Sequence, residues 1–363
     1  MRLFNKIFNK LNFALGKKSG MEAEIYEQPE IISKIINKYI LKDGNININI
    51  PDNVNKIAII ASGSSYHSAT IIANYLRNNV KCDAQSYYAS EFSLIHNPKI
   101  DSETLYIFVS QSGETSDTNK ALDMVRKYTN KTLAITNTQN STLYNNAKYK
   151  LLTYAGKETA IASTKSMSAQ LFCMFLISAK IMQQREMPVD TLIYELKNAA
   201  TYIFNAFKYR EIIKIYSNKL INYDNASILA SGMFYPLAKE GALKSKETSY
   251  INTTAYPTGE FLHGHIAILN KRCAVIIVIN NDNIEFTKNV IKNIEENYKS
   301  DLLIISAVPY SQRDNNIVIS ANTGFEIDFV FTTLVVFQLL ALEAAIKLSR
   351  DVDHPEGLTK VVK

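Results

Sequence analysis

Eight consecutive residues, Val109-Ser110-Gln111-Ser112-Gly113-Glu114-Thr115-Ser116, gather hydroxyls, one amide and one glycine in a stretch without a cation. The apolar run 105–109 leading into it reads as a buried strand, and Ala121, Leu122, Met124 and Val125 beyond it recur at helical spacing. A strand, a short loop and a helix in that order turn backbone N–H groups outward at a helix N-terminus, where neutral donors and the helix dipole suit a phosphate. Ser110, Ser112 and Thr115 add hydroxyl donors, Gln111 adds an amide, and Gly113 lets the backbone come close to a ligand. Taken alone, the same stretch also reads as a Ser/Thr-rich helix cap.

Two further junctions share this design. Residues 56–60 form a strand-like run, followed by Ala61-Ser62-Gly63-Ser64-Ser65 and a helical stretch over 66–77. The segment Ala155-Gly156-Lys157-Glu158-Thr159-Ala160-Ile161-Ala162-Ser163-Thr164-Lys165 follows the run 149–154 and opens a long apolar helix over 166–182. Open α/β sheets hold ligands at the carboxyl ends of their strands, so three such loops in one half of a chain are expected to converge. Ser65, Ser163 and the backbone near Ile161 thereby join Ser110, Gln111, Ser112 and Thr115 as candidate phosphate-binding residues.

A different chemistry is written later in the chain. On a predicted helix over 237–250, Lys244 and Glu247 are i,i+3 neighbours and share a face. That spacing suits an acid–base pair and equally an ordinary surface ion pair. His263 follows in a Gly259-Glu260-Phe261-Leu262-His263-Gly264-His265 stretch, and Lys360 stands near the end of the sequence.

The chain repeats itself at an offset of about 169 residues. Residues 57–69 read IAIIASGSSYHSA and residues 226–238 read ASILASGMFYPLA; 105–109 pairs with 274–278, and 133–136 with 302–305. Alternating apolar runs and helical patterns predict that each half is a parallel sheet flanked by helices on both faces. The expected division is an extension over 1–20, a phosphate-binding domain over 21–188, and a domain over 189–363 that carries the acid–base residues and the tail. The repeat is informative where it fails. Ser110-Gln111-Ser112-Gly113 becomes Ile279-Asn280-Asn281-Asp282, which exchanges hydroxyls for a carboxylate that repels phosphate.

Composition narrows the classes. The 363 residues are 47% hydrophobic, enough for ordinary globular cores, with two domains the natural expectation. The net charge of +6 is concentrated in residues 1–20, whose Arg2, Lys6, Lys10, Lys17 and Lys18 stand without an acid. The remainder is close to neutral, so no nucleic-acid surface is expected. Leu3, Phe4, Ile7, Phe8, Leu11 and Leu15 give that basic segment one apolar face, which suits a docking helix better than membrane association or a transit peptide. Apolar runs stop short of membrane-spanning length; the longest, 332–346, is interrupted by Gln338 and Glu343. Three isolated cysteines, Cys82, Cys173 and Cys273, suggest a reducing, cytoplasmic setting. They and the five scattered histidines show no metal-ligand spacing, so no structural metal site is expected.

The three hydroxyl-rich loops resemble the phosphosugar-binding loops of SIS (sugar isomerase) domains. The resemblance continues through Glu24-Ile25-Tyr26-Glu27-Gln28-Pro29, Lys239-Glu240-Gly241-Ala242-Leu243-Lys244-Ser245-Lys246-Glu247, the Gly259 to Gly264 stretch and Asp351-Val352-Asp353-His354-Pro355. It covers 21–363 and is strongest to the isomerase half of glucosamine-6-phosphate synthase, also called glutamine–fructose-6-phosphate aminotransferase. The segment 357–363 is more similar to the tail of SIS-type glucosamine-6-phosphate deaminases. The resemblance implies two tandem SIS domains and a sugar-phosphate substrate. It implies that Glu247 moves a proton between C1 and C2 of the open sugar, that His263 opens the ring and reaches the site from the neighbouring subunit of a homodimer, and that Lys360 forms a Schiff base with the ketose. Such chemistry is coherent: one partly buried carboxylate serves adjacent carbons, histidine exchanges protons near neutral pH, and the phosphate anchors the substrate, so neither metal nor organic cofactor is expected. His265 stands where both relatives usually carry proline.

The synthase has an N-terminal glutaminase with a cysteine nucleophile, which this sequence lacks. The expected activity is therefore conversion of glucosamine 6-phosphate to fructose 6-phosphate and ammonia, without glutamine hydrolysis. Ammonia-dependent synthesis, aldose–ketose isomerisation and fructosamine-6-phosphate deglycation use the same chemistry. A sugar-phosphate sensor is the reading from another class. It predicts a DNA-binding or partner domain and loss of the acid–base residues, whereas Glu247, His263 and Lys360 are present.

Overall fold

The computed structural model describes residues 19–95, 99–269, 273–298, 300–311 and 316–360. The basic segment of 1–18 lies outside the described residues.

Alternation in the strands dictates the layering. In β1 (Lys56–Ala61), Ile57, Ile59 and Ala61 face one core, and Ala58 and Ile60 face another. Strand β3 (Thr104–Val109) repeats the pattern, with Leu105, Ile107 and Val109 inward and Tyr106 and Phe108 outward. Strands apolar on both faces belong in a parallel sheet covered on both sides. With β2 (Asp83–Tyr88), β4 (Thr132–Thr136) and β5 (Tyr149–Leu152) they form a parallel sheet of order β2-β1-β3-β4-β5.

The second half repeats this order. Strands β6 (Asn225–Ala230), β7 (Asn252–Pro257), β8 (Cys273–Ile279), β9 (Leu302–Ser306) and β10 (Asn316–Ser320) lie parallel as β7-β6-β8-β9-β10. The repeat drifts at its fourth strand. Tyr106 is in register with Thr132, whereas the matching Val275 is in register with Leu302. The structural counterpart of Leu302 is therefore Thr132, not Leu133, because the second crossover is one residue longer.

Helices of ten residues or more are α1 (Gly20–Tyr39), α2 (Gly63–Tyr75), α3 (Ser116–Val125), α4 (Lys165–Gln184), α5 (Asp190–Ala206), α6 (Arg210–Leu220), α7 (Phe234–Ser249), α8 (Ile284–Asn297) and α9 (Glu326–Lys347). Helix α3 covers the outer face of the first sheet and α8 that of the second. The other seven share one core between the sheets, so the two repeats are fused through a common helical layer.

Helix α9 is longer than the sequence suggested. Among the described residues it is the one helix long and apolar enough to cross a membrane, and it is buried in the protein. Its polar residues are answered internally: Gln338 Oε1 accepts from Gln28 Nε2 at 2.7 Å, and Glu343 pairs with Arg210 at 2.6 Å. Arg210 also reaches Glu22 at 2.5 Å and the Tyr26 hydroxyl at 3.0 Å, tying α1, α6 and α9 together. Guanidinium–carboxylate hydrogen bonds of this kind are charge-assisted and stronger than neutral ones.

Candidate active site

The first sheet reverses its strand order between β1 and β3, and the loops that leave these strands border one crevice. A cleft of about 540 Å³ lies there, lined by Ser65, Ser110, Gln111, Ser112, Thr115, Ile161, Ser163, Lys244, Glu247 and Lys360, among others. Every candidate residue apart from His263 is in this list. His263 is exposed on the loop after β7, and His265 beside it stacks near Tyr256 at 4.5 Å.

The loop after β3 is held open by its own hydrogen bonds. Ser110 Oγ and Thr115 Oγ1 are 2.8 Å apart, the Gly113 N–H donates to Ser110 Oγ at 3.1 Å, and the Glu114 N–H donates to Ser112 Oγ at 3.1 Å. Gly113 adopts φ +70°, and a Cβ there would meet Ser141 Oγ at 2.1 Å, so only glycine fits. From the loop after β1, Ser65 Oγ donates to Gln170 Oε1 at 2.8 Å. The third loop departs from expectation in one respect. The Ile161 N–H is already committed to the Asp353 carbonyl at 3.0 Å, so Ile161 lines the cleft without offering that amide.

Lys360 is not a solvated terminal lysine. Its Nζ donates to Glu158 Oε2 and to the Ala160 carbonyl, both at 2.6 Å. Glu158 also accepts from the Thr164 and Ser166 N–H groups at 3.0 and 3.1 Å and from Ser166 Oγ at 2.7 Å. Burial pushes the Glu158 carboxyl up, but the Lys360 ammonium and these donors outweigh it and hold the group below the ordinary carboxylate range. The tail that carries Lys360 is itself tied down. Asp353 accepts from the Gly20 and Met21 N–H groups at 2.7 and 2.8 Å, which answers the open amides of the α1 N-terminus beside the Ser19 cap.

The Lys244–Glu247 ion pair is present, and it is no surface pair. Lys244 is fully buried while the Glu247 side chain keeps 22% of its exposure, and both line the cleft. Helix α7 reaches this position because Gly241 packs against Phe337 of α9, where a Cβ would lie 2.7 Å from the ring. Below the pair, Glu240 Oε1 is 3.5 Å from Lys244 Nζ, and Glu240 Oε2 is 2.7 Å from His67 Nδ1 on α2. Burial lowers the affinity of Lys244 for its proton, but Glu240 and Glu247 outweigh it and hold the ammonium charged. Burial likewise raises the Glu240 carboxyl, and Lys244 and His67 bring it below the ordinary range.

Sequence reasoning passed over Glu158, His67 and Glu240. Glu158 lies inside the third hydroxyl-rich loop, where an acid among hydroxyls is the available signal. His67 and Glu240 lie 173 residues apart in the chain and gave no local sign of their pairing. Among the described residues no three His, Cys, Asp or Glu side chains gather as metal ligands.

Comparison with known proteins agrees with this fold. The SIS domain family model matches residues 52–179 and 219–348. The chain is 34% identical to glutamine–fructose-6-phosphate aminotransferase [isomerizing] of Campylobacter jejuni, over 98% of this chain and 61% of that protein. It is 33% identical to the enzyme of the same name from Fusobacterium nucleatum, over 97% of this chain and 60% of that one. It thus spans about three fifths of the length of these curated relatives. Among solved structures, the C-terminal domain of glucosamine-fructose-6-phosphate aminotransferase from Francisella tularensis superposes with a TM-score of 0.85 at 30% identity, covering 94% of this chain and 99% of that one. Glucosamine-6-phosphate deaminase from Thermotoga maritima shares the fold, with a TM-score of 0.76 at 23% identity over 95% of this chain and 99% of that one.

Proposed function

This chain belongs to the SIS-domain family, and on that premise we propose that it is a phosphosugar isomerase that converts glucosamine 6-phosphate and water to fructose 6-phosphate and ammonia. The observation that carries the reading is that one cleft holds hydroxyl-rich loops of the first repeat, Glu247 of the second and Lys360 of the tail. The names of the aminotransferase relatives supply the substrate class.

In this reading Ser110, Gln111, Ser112 and Thr115, with Ser65 and Ser163, take the phosphate. The sugar is then fixed with C1 and C2 beside Glu247. Glu247 removes the proton from C2 of the open-chain amino aldose and returns it to C1, while O1 takes up a proton and the amine nitrogen gives one up, leaving a C1 alcohol and an imine at C2. Lys244 holds the carboxylate in place between the two steps. The Lys360 ammonium, held by the Glu158 carboxylate, passes a proton to the imine nitrogen, and the amine so freed adds to C2 and expels ammonia as a protonated lysine imine forms. Water then hydrolyses the lysine imine, which frees fructose 6-phosphate and restores the amine. His263 opens the sugar ring from a second copy of the chain.

The test is direct. Purified protein incubated with glucosamine 6-phosphate should yield ammonia and fructose 6-phosphate in equal amounts. Interconversion of glucose 6-phosphate and fructose 6-phosphate with no ammonia from the amino sugar would replace deamination with plain isomerisation.

A further inference from the structure

Lys244 brings one positive charge to two carboxylates. It touches Glu247 at the cleft and stands 3.5 Å from Glu240 below it. The two acids differ in their access to water. The Glu240 side chain is 1% exposed and Glu247 is 22% exposed. A buried carboxylate without a full set of donors costs far more than one that can turn to solvent. With Lys244 as its sole donor, Glu240 would draw the ammonium down and away from Glu247.

His67 prevents this. Its side chain is 10% exposed, and Nδ1 meets Glu240 Oε2 at 2.7 Å, on the oxygen that Lys244 does not face. An ionised carboxylate only accepts, so Nδ1 carries the hydrogen and donates it. His67 comes from the first repeat, on the helix that opens at the Ser62–Ser65 loop, whereas all three members of the Glu240–Lys244–Glu247 series are on α7 of the second.

We propose that His67 is a positioning residue: by donating to Glu240 Oε2 from across the repeat boundary, it leaves Lys244, whose charge faces the otherwise unpartnered Oε1, free to aim Glu247 into the cleft. The inference rests on the reading of Glu247 as the proton-transfer base. It makes the first repeat a contributor to the chemistry as well as to phosphate binding.

Two variants test it. His67→Leu removes the donor, and His67→Asn keeps an amide N–H near the place of Nδ1. Misplacing a catalytic group by about an ångström costs up to roughly 10²-fold in rate. His67→Leu should therefore lower kcat on glucosamine 6-phosphate by about 10- to 100-fold, with KM changed less than about threefold, and His67→Asn should recover most of the loss. In a crystal structure of His67→Leu, Lys244 Nζ should have moved onto Glu240 and left Glu247. An unchanged kcat, a leucine variant no worse than the asparagine one, or an intact Lys244–Glu247 pair in the leucine structure would overturn the proposal. Should the wild-type protein turn over no amino sugar phosphate, the proposed activity fails, and the crystallographic arm still decides where Lys244 goes.

Discussion

At the end of its third strand the first repeat places Ser110, Gln111, Ser112 and Gly113; at the matching point the second places Ile279, Asn280, Asn281 and Asp282. The strand order is the same, and so is the turn of chain from strand towards helix. What differs is charge. Around Asp282 the second repeat collects Glu326, its pKa raised to about 7 by burial and by the nearby Asp282 and Glu195. That crevice repels a phosphate, and the second repeat instead sends Lys244 and Glu247 from α7 into the crevice of the first. Duplication of a fold thus supplied two crevices and kept one, with the spare copy free to diverge into the source of the acid–base groups.

The largest expected effect breaks this division of labour at Glu247. Glutamine keeps the shape of the side chain and cannot accept the proton, so Glu247→Gln should lose about 10²- to 10⁴-fold in turnover while still binding the sugar phosphate. It should also stop exchanging the C2 hydrogen of glucosamine 6-phosphate with deuterated solvent. Loss of binding together with turnover would reduce Glu247 to a structural partner of Lys244. The same variant tests where His263 acts. Mixed with inactive His263→Ala protein under conditions of proven subunit exchange, it should regain activity if the histidine serves a neighbouring copy, and stay inactive if one chain builds the whole site.

A smaller effect sharpens the contrast between the crevices. Hydrogen bonds to a charged group contribute roughly 1.5–3 kcal/mol each, so Ser112→Ala should weaken glucosamine 6-phosphate binding by about 10- to 100-fold. Asp282→Asn, at the matching corner of the second repeat, should leave that affinity unchanged. Calorimetric titration of both variants separates the outcomes, and equal weakening by the two would dissolve the distinction.

The smallest effect concerns pH and has opposite signs in the two halves. Glu158 is held below its ordinary range, so its contribution to stability is present above the unfolded value near 4.5 and is lost as pH falls through the folded one. Glu326 is raised to about 7, so its contribution is present below 4.5 and is lost as pH rises through 7. Because Glu326 remains partly accessible, the loss is on the order of 1–2 kcal/mol. The thermal midpoint of Glu326→Gln should accordingly fall less than that of the wild type between pH 5 and pH 8. Parallel curves would show that the second crevice carries no such strain.

Local pattern carried much of this design. Alternating apolar residues in β1, β3, β6 and β8 fixed which faces meet which core, and the hydroxyl-rich loops announced themselves by composition. Lys360 was legible as a residue and not as a contact, because its partner Glu158 is 202 positions away. The extra residue before β9 escaped notice since a one-residue slip changes register without changing composition. The reach of α9 escaped for a related reason: Gln338 and Glu343 look like interruptions until Gln28 and Arg210 are seen to meet them. Properties set by distant partners are the ones a linear reading cannot reach.

Asp353 gives the molecule an order of assembly. Its carboxylate grips the start of α1 across 333 positions of chain, and its carbonyl holds the loop at Ile161. During synthesis this segment emerges late, and Lys360 cannot meet Glu158 until the segment has returned to the earliest described helix. On the proposed reading, a chain clipped after Ser349 should still capture the sugar phosphate and fail to turn it over. Lys360 thus reaches the cleft through contacts that join the two ends of the described chain.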